Sequence, residues 1–345
     1  MRSEEYMKYI TFAVPCYNSQ DYLDKCVRSL LVGGEDVEII LVNDGSTDRT
    51  GEIIDRYAEK YPQIVRAVHK ENGGHGSGVN KGLELATGLY YKVVDSDDWL
   101  EKEAYEKLLR TIKKHVQDGE ESIPDLYIVN YVYNHLDEGV SRSVGYKNIF
   151  PEEKLCSWQD INDFKMSQYI IMHALVYRTE VLRESGVKLP EHTFFVDNII
   201  AYQPLPYVES IYYINADLYQ YYIGREDQSV NEKMLMKRID QYIDVVNIMA
   251  DCVDLEQVRK QKPKLAVYMT HFLSILMMTV IVHLMLIGDD EAKQKAKLLW
   301  ARMKERHPAL YRKLRYTKLS GLTRMPFRRI VIAIYRIVRK IYKFQ

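Results

Sequence analysis

The chain has 345 residues, with 48 Lys and Arg balanced by 48 Asp and Glu, and only four cysteines. This composition excludes a collagenous, low-complexity or broadly disordered chain, and leaves one large domain or a core domain with appendages. The zero net charge conceals an asymmetry. From Lys293 onward there are 17 Lys and Arg against one acid, Glu305, which points the tail toward an anionic partner, a membrane or a nucleic acid.

Cys16, Cys26, Cys156 and Cys252 form no CxxC pair and no metal-ligand spacing, so they read as reduced thiols of a cytosolic protein. The first residues, MRSEEYMKYITF, lack the apolar run of a signal peptide. Tyrosine is frequent. Tyr131, Tyr133, Tyr212, Tyr213, Tyr221 and Tyr222 can line a polar groove or fill half-buried sheet positions.

In chain order, Tyr9 to Val14 is β-rich and ends at Pro15. Ser19 reads as a helix N-cap, followed by Tyr22, Leu23, Cys26, Val27, Leu30 and Leu31 at helical spacing. Gly33 and Gly34 stop that helix. Val37 to Val42 reads as a second strand, and Asp44-Gly45 as a turn. Ser46 or Asp48 then caps a second helix striped by Ile53, Ile54, Tyr57, Ala58 and Tyr61. A strand at Val65 to His69, a helix at Val79 to Ala86 and a strand at Leu89 to Val94 follow. Further on, Leu126 to Tyr133 reads as a strand, Trp158 to Arg183 as mixed, and Tyr212 to Tyr222 as extended. Helix is expected from Lys233 onward. Alternating strands and helices imply an α/β fold with a mostly parallel sheet between helices, whose ligands bind at the carboxyl ends of strands.

Candidate chemistry gathers at those ends. Asp95-Ser96-Asp97-Asp98 places three carboxylates within four residues. Their repulsion is relieved by a hard divalent cation such as magnesium or manganese, or by solvent if the segment is only a turn capping the helix near Glu101. Asn72-Gly73-Gly74-His75-Gly76-Ser77-Gly78 can bring backbone amides to a phosphate at a helix N-terminus, or can be a flexible loop. Lys81, one turn inside that helix, is either a phosphate or carboxylate partner or a surface lysine. Asp44 can accept hydrogen bonds from a base or ribose, or belong to a helix-capping turn. His173 sits among apolar neighbours and reads as a satisfied core histidine.

Four segments taken together resemble family 2 glycosyltransferases of the GT-A fold. They are Val14-Pro15-Cys16-Tyr17-Asn18, Val42-Asn43-Asp44-Gly45-Ser46-Thr47-Asp48, Asn72-Gly73-Gly74 and Asp95-Ser96-Asp97-Asp98. The likeness covers the first hundred residues and continues more weakly to Asn231 through Phe195-Val196-Asp197 and Tyr221 to Val230. It implies a nucleoside-diphosphate-sugar donor, most often a uridine one, and inversion at the anomeric carbon. Pro15, Tyr17 and Asn18 would line the nucleotide pocket, with Asp44 on the base. Asn72, Gly73, Gly74 and Lys81 would complete the donor site. Asp95, with Ser96, would meet the ribose or sugar, and Asp97 the metal. Asp197 would be the catalytic base, although the Glu that commonly precedes it is here Val196; a helix N-cap is its other reading. Arg225 and Ser229 would close over the diphosphate. The implied division is a catalytic domain at 1–231, with a nucleotide-binding half at 1–115 and an acceptor half at 116–231, then a helical region at 232–345.

Leu265 to Ile287 contains no charged residue and is long enough to span a bilayer. Its Thr270, His271, Ser274, Thr279 and His283, and the basic tail after it, favour a buried or interfacial helix instead. From Phe327 to Phe344, Arg329, Arg336, Lys340 and Lys343 fall near one helical face opposite an apolar one. This suits an anionic membrane surface, or docking on the protein or on a second copy in a homodimer. No nucleic-acid recognition module accompanies the tail. The expectation is therefore a cytoplasmic enzyme, peripheral on the inner face of the membrane, acting on a glycan or lipid-linked acceptor. The rival readings are a metal-dependent nucleotidyltransferase and a non-catalytic membrane-associated scaffold.

Overall fold

The computed structural model describes residues 7–135, 139–224, 232–324, 331–333 and 335–336. Two compact units are present. One comprises residues up to Asn162 together with Ile170–Gly224, and the other comprises Asp163–Tyr169 and the chain from Arg225 onward.

The first unit is an α/β fold. It opens with β1 (Ile10–Cys16), α1 (Leu23–Leu30), β2 (Val37–Asp44), α2 (Thr50–Lys60), β3 (Val65–Lys70), α3 (His75–Leu85) and β4 (Tyr90–Val93). Then come β5 (Trp99–Leu100), α4 (Lys102–Asp118), β6 (Leu126–His135), β7 (Val140–Val144), β8 (Leu155–Cys156), β9 (Leu175–Arg178), α5 (Thr179–Glu184), α6 (Asp197–Ile200) and β10 (Ile211–Ile223). The sheet order is β3-β2-β1-β4-β9-β6-β10-β5, with β7 beside β6 and β8 beside β10. β1, β2, β3 and β4 run parallel, as do β6 and β10, and β9 joins the two groups antiparallel to both β4 and β6. Every residue of β1 and β4 is buried, as expected for strands covered on both faces.

Most sequence boundaries hold to within a residue or two, with three instructive differences. β1 continues through Pro15 to Cys16; proline at a strand's end removes only one donor. Ser19 does not cap α1 with its side chain. Its carbonyl accepts the amides of Tyr22 and Leu23 instead, while its hydroxyl faces Ser96. The third helix begins four residues before Val79, at His75. Its first turn is glycine-rich and carries no apolar stripe, so periodicity does not reveal it.

Glycine sets how closely α3 packs. A Cβ on Gly82 would fall 2.4 Å from the Cβ of Ala13 in β1, and one on Gly78 2.8 Å from Pro15. α3 therefore lies directly on the strand end that carries Pro15.

The second unit is helical: α7 (Glu232–Lys237), α8 (Ile239–Asp251), α9 (Leu255–Gln261), α10 (Pro263–Ile287), α11 (Asp290–Arg306) and α12 (Pro308–Tyr316). α10 is long and apolar enough to cross a membrane, and two thirds (67%) of its most apolar window is buried inside the structure. Its polar residues are satisfied locally. Thr270 and Thr279 donate to carbonyls one turn back, and Ser274 accepts from the Ser320 amide. The segment 163–169 packs here through Phe164 on Tyr268 and Tyr169 on Phe272, and His271 Nε2 meets the Gln168 carbonyl at 3.1 Å. Val331 is buried against Met278 and Val282. Arg329, Lys340 and Lys343 lie outside the described residues; Arg336 is exposed.

Candidate active site

The ends of β1, β2 and β4 deliver the acidic and polar residues to one edge of the parallel sheet. Asp44 closes β2. Its side chain is almost fully buried, and its oxygens accept the Gly73 amide at 2.9 Å, the Gly74 amide at 2.7 Å and Lys70 Nζ at 2.8 Å. Its carbonyl accepts Asn72 Nδ2 at 2.8 Å. In this structure, then, the Gly73 and Gly74 amides are committed to a carboxylate of the protein. Asp44 is the anchor of the 72–74 loop.

Asn18 has φ +49°, a conformation that asparagine tolerates better than most residues. It is held by the Thr47 amide on its Oδ1 and by its own amide on Ser46 Oγ. This ties the loop after β1 to the loop after β2 and leaves the Tyr17 ring 53% exposed beside it. Ser96 shares a 2.6 Å hydroxyl contact with Ser19. Lys81 pairs with Glu84 at 2.7 Å on the outer face of α3. Arg225 and Ser229 lie outside the described residues.

The acidic turn after β4 is asymmetric. Asp95 is partly exposed and its Oδ1 lies 2.8 Å from His75 Nε2, at the first turn of α3. Burial alone raises the Asp95 carboxyl, but His75, with His173 and Lys92 behind it, holds it below the usual carboxylate range. Burial likewise lowers the His75 imidazole, and Asp95 overrides it and holds His75 above its ordinary value. The two shifts agree on a charge-assisted pair. Asp97 is partly exposed. Asp98 is buried, accepting the Tyr219 hydroxyl at 2.6 Å and the Tyr222 amide at 2.8 Å. Burial and the neighbouring Asp97 and Asp95 push its carboxyl well above the usual range.

His173 departs from its sequence reading. It is buried, as expected of a core histidine, yet neither Nδ1 nor Nε2 has a hydrogen-bond partner among the described residues. Burial pushes its imidazole down to about 4, so it is neutral at physiological pH. The ring is wedged between Tyr219 and Tyr221, and Nε2 lies 4.0 Å from Asp95 Oδ2. Lys92, a lysine inside the apolar strand β4, fixes this turn by donating to the His173 carbonyl at 2.7 Å and the Leu175 carbonyl at 3.3 Å. Ligand atoms of Asp95, Asp98 and His173 all lie within 4.8 Å of one another, a grouping that can hold a metal ion. A neutral imidazole beside two carboxylates is a mixed nitrogen and oxygen donor set suited to a divalent transition metal.

Asp197 begins α6 and is half-buried. Burial pushes its carboxyl up to about 6, with His75 pulling it down and Asp95 pushing it further up, so all three sit within electrostatic reach. Its position depends on α3. Asn80 donates to and accepts from Leu189, Ser77 reaches Glu191, and the His192 amide donates to the Gly73 carbonyl at 2.6 Å. A Cβ on Gly76 would lie 2.7 Å from the Pro190 carbonyl. The glycines at 73–76 thus let segment 189–197 approach closely enough to bring Asp197 toward His75.

Three residues of this site carry no role in the sequence reading. His75 lies inside the glycine motif, where its position at the helix start is the only signal. Lys92 is the lone charge in an apolar strand, a signal that is visible in the sequence. His173 offers none, since its lack of partners exists only in three dimensions.

The mostly parallel sheet between helices, with its acidic turn after β4, is the GT-A fold. Residues 11–183 match Glycosyl transferase family 2, and the chain belongs to that family. It is 29% identical to glycosyltransferase GlyA of Streptococcus pneumoniae over 253 residues, which is 70% of this chain but only 35% of GlyA, so it spans about a third of that relative. Staphylococcus aureus TarS 1-349 in complex with UDP-GlcNAc shares the fold, with TM-score 0.67 and 20% identity over 96% of this chain and 92% of that one. The mannosyltransferase PcManGT of Pyrobaculum calidifontis, in complex with GDP-Man and Mn2+, gives TM-score 0.53 and 16% identity over 99% and 89% of the two chains.

Proposed function

We propose that residues 1–231 transfer a sugar, with inversion, from a nucleoside-diphosphate donor, a uridine one in the first instance, to a glycan or lipid-linked hydroxyl. The observation that carries this reading is the half-buried Asp197 carboxyl at the start of α6, within electrostatic reach of the hydrogen-bonded His75–Asp95 pair. The 1–115 half holds the donor and the 116–231 half the acceptor. Pro15, Tyr17 and Asn18 flank the nucleotide, with Asp44 and Asn72 shaping the loop beside it. Asp95 and Ser96 face the ribose or sugar.

A carboxyl raised to about 6 is ionised at neutral pH yet basic enough to accept a proton in the transition state. The acceptor oxygen bonds to the anomeric carbon as the bond from that carbon to the diphosphate breaks. The acceptor proton passes to Asp197, and the bonding electron pair leaves with the diphosphate. His75 keeps Asp95 ionised and fixes its orientation. Asp97, implied by the family pattern, and the Asp95, Asp98 and His173 grouping are the groups that would hold a divalent ion, manganese or magnesium. When bound, such an ion supplies positive charge against the developing negative charge of the diphosphate. The complex of PcManGT with Mn2+ and that of TarS with UDP-GlcNAc support both the ion and the donor class.

The basic tail is read as a contact to an anionic membrane surface on the cytoplasmic side. Its support is the charge asymmetry after Lys293. The burial of Val331 against Met278 and Val282 already covers part of its apolar side within the helical unit.

The test is nucleoside-diphosphate release from a panel of nucleotide sugars with manganese or magnesium, using Asp97→Ala and Asp197→Ala as controls. Release from one donor, abolished by chelation and in both variants, supports the reading. Release of pyrophosphate instead would indicate nucleotidyl transfer. Donor binding without turnover for any acceptor tried would indicate a scaffold.

A further inference from the structure

β6 and β10 run parallel in a register that places Tyr131 opposite Tyr219 and Tyr133 opposite Tyr221. Because side chains alternate along a strand, these four tyrosines form a two-by-two block on one face of the sheet. The inner pair is closed. Tyr131 and Tyr219 are buried, and the Tyr219 hydroxyl is engaged with Asp98. The outer pair is half open. The Tyr133 and Tyr221 rings lie 5.7 Å apart with planes inclined by 38°.

Tyr221 differs from its neighbours in one respect. Its ring is fixed edge to face against His173 at 4.3 Å, but none of the described residues hydrogen-bonds its hydroxyl. A hydroxyl on a half-buried, fixed ring, next to a histidine 4.0 Å from Asp95, is a preorganised group.

We propose that Tyr221 is a specificity-determining contact for the sugar of the donor, its hydroxyl donating to a ring substituent and its face, with that of Tyr133, covering the apolar side of the pyranose. This rests on the glycosyl-transfer reading of the same site. Asp95, in the turn after β4, lies 4.0 Å from the His173 ring that holds Tyr221, so on that reading, with Asp95 facing the ribose or sugar, Tyr221 stands beside the donor. Aromatic rings suit such a ligand, because one face of a pyranose is lined by C–H groups while its rim is hydroxylated. A site that hydrogen-bonds a substrate hydroxyl discriminates more sharply than an apolar pocket.

The experiment compares binding of UDP, UDP-glucose, UDP-N-acetylglucosamine, GDP and GDP-mannose, with manganese, to wild type, Tyr221→Phe and Tyr221→Ala, by calorimetry. Tyr212→Phe, whose ring packs on His115 at the far end of β10, is the control. Tyr221→Phe is expected to bind the free nucleoside diphosphate as wild type does and to bind the preferred nucleotide sugar about tenfold more weakly, the loss of one neutral hydrogen bond. Tyr221→Ala should lose more, and Tyr212→Phe nothing. Equal nucleotide-sugar affinity in wild type and Tyr221→Phe overturns the proposal while leaving the transfer reading standing. So does an equal loss for the free diphosphate, which would put Tyr221 on the phosphate or nucleotide. A wild type that binds none of the probes overturns both.

Discussion

His75 Nε2 lies 2.8 Å from Asp95 Oδ1, joining the first residue of α3 to the acidic turn after β4. The pair crosses the sheet edge, so the helix that packs on β1 also fixes a carboxylate delivered by β4. A hydrogen bond between charged groups contributes about 1.5–3 kcal/mol. His75→Ala is therefore expected to lower kcat/KM by roughly 10- to 100-fold, with His75→Gln, which retains a donor, in between. Steady-state nucleoside-diphosphate release gives the numbers; unchanged kinetics in His75→Ala would show that the pair has no part in turnover.

The pH profile should have an acid limb set by Asp197. A base must be unprotonated, and its carboxyl is pushed up to about 6. Activity should therefore rise with pH through that value and level off above it. Asp197→Asn should abolish turnover while nucleotide binding persists. An acid limb near the ordinary carboxylate range, about 4, would remove the support that burial lends to this assignment.

Gly76→Ala should destabilise the first unit, because its Cβ would meet the Pro190 carbonyl at 2.7 Å. Overpacking of this kind costs about 1–3 kcal/mol, a drop in Tm of a few degrees to about ten. Relief of the clash moves segment 189–197, so kcat should fall beyond what reduced stability explains. Calorimetry and kinetics on one preparation separate the two effects.

In the helical unit, Ser274 Oγ accepts the Ser320 amide at 3.0 Å inside the core. Ser274→Ala orphans that buried amide, and the expected cost is about 1–3 kcal/mol. A lower urea midpoint with no change in slope would bear this out. An unshifted midpoint would mean that the Ser320 amide finds another acceptor.

The parallel strands were legible because their apolar runs end at Asp44 and Asp95, residues that strands seldom tolerate in their interior. The acidic turn and the glycine motif stand out in the sequence as three carboxylates in four residues and four glycines in six. What the glycines do was not. They were expected to offer amides to a phosphate, and Gly73 and Gly74 give theirs to Asp44. Spacing along a chain shows that a close approach is possible but not which partner makes it. The start of α3 was hidden because its first turn buries backbone rather than an apolar stripe. His173 was read correctly as buried and incorrectly as satisfied, since satisfaction depends on neighbours contributed by β4 and β10, 46 or more positions away. The stretch from Trp158 to Ile171 has no regular elements beyond isolated turns, and no periodic signal can describe such a segment.

The seven residues Asp163–Tyr169 belong with the helical unit although they are flanked on both sides by chain of the α/β unit. Cutting the gene after Gly224 would not yield a clean half. It would strip Tyr268 and Phe272 from Phe164 and Tyr169, leaving a bare aromatic loop on the fragment that remains. Shortened versions meant for crystallisation or engineering therefore need that loop replaced by a polar linker, and a protease nick within it would leave both products carrying a sticky end.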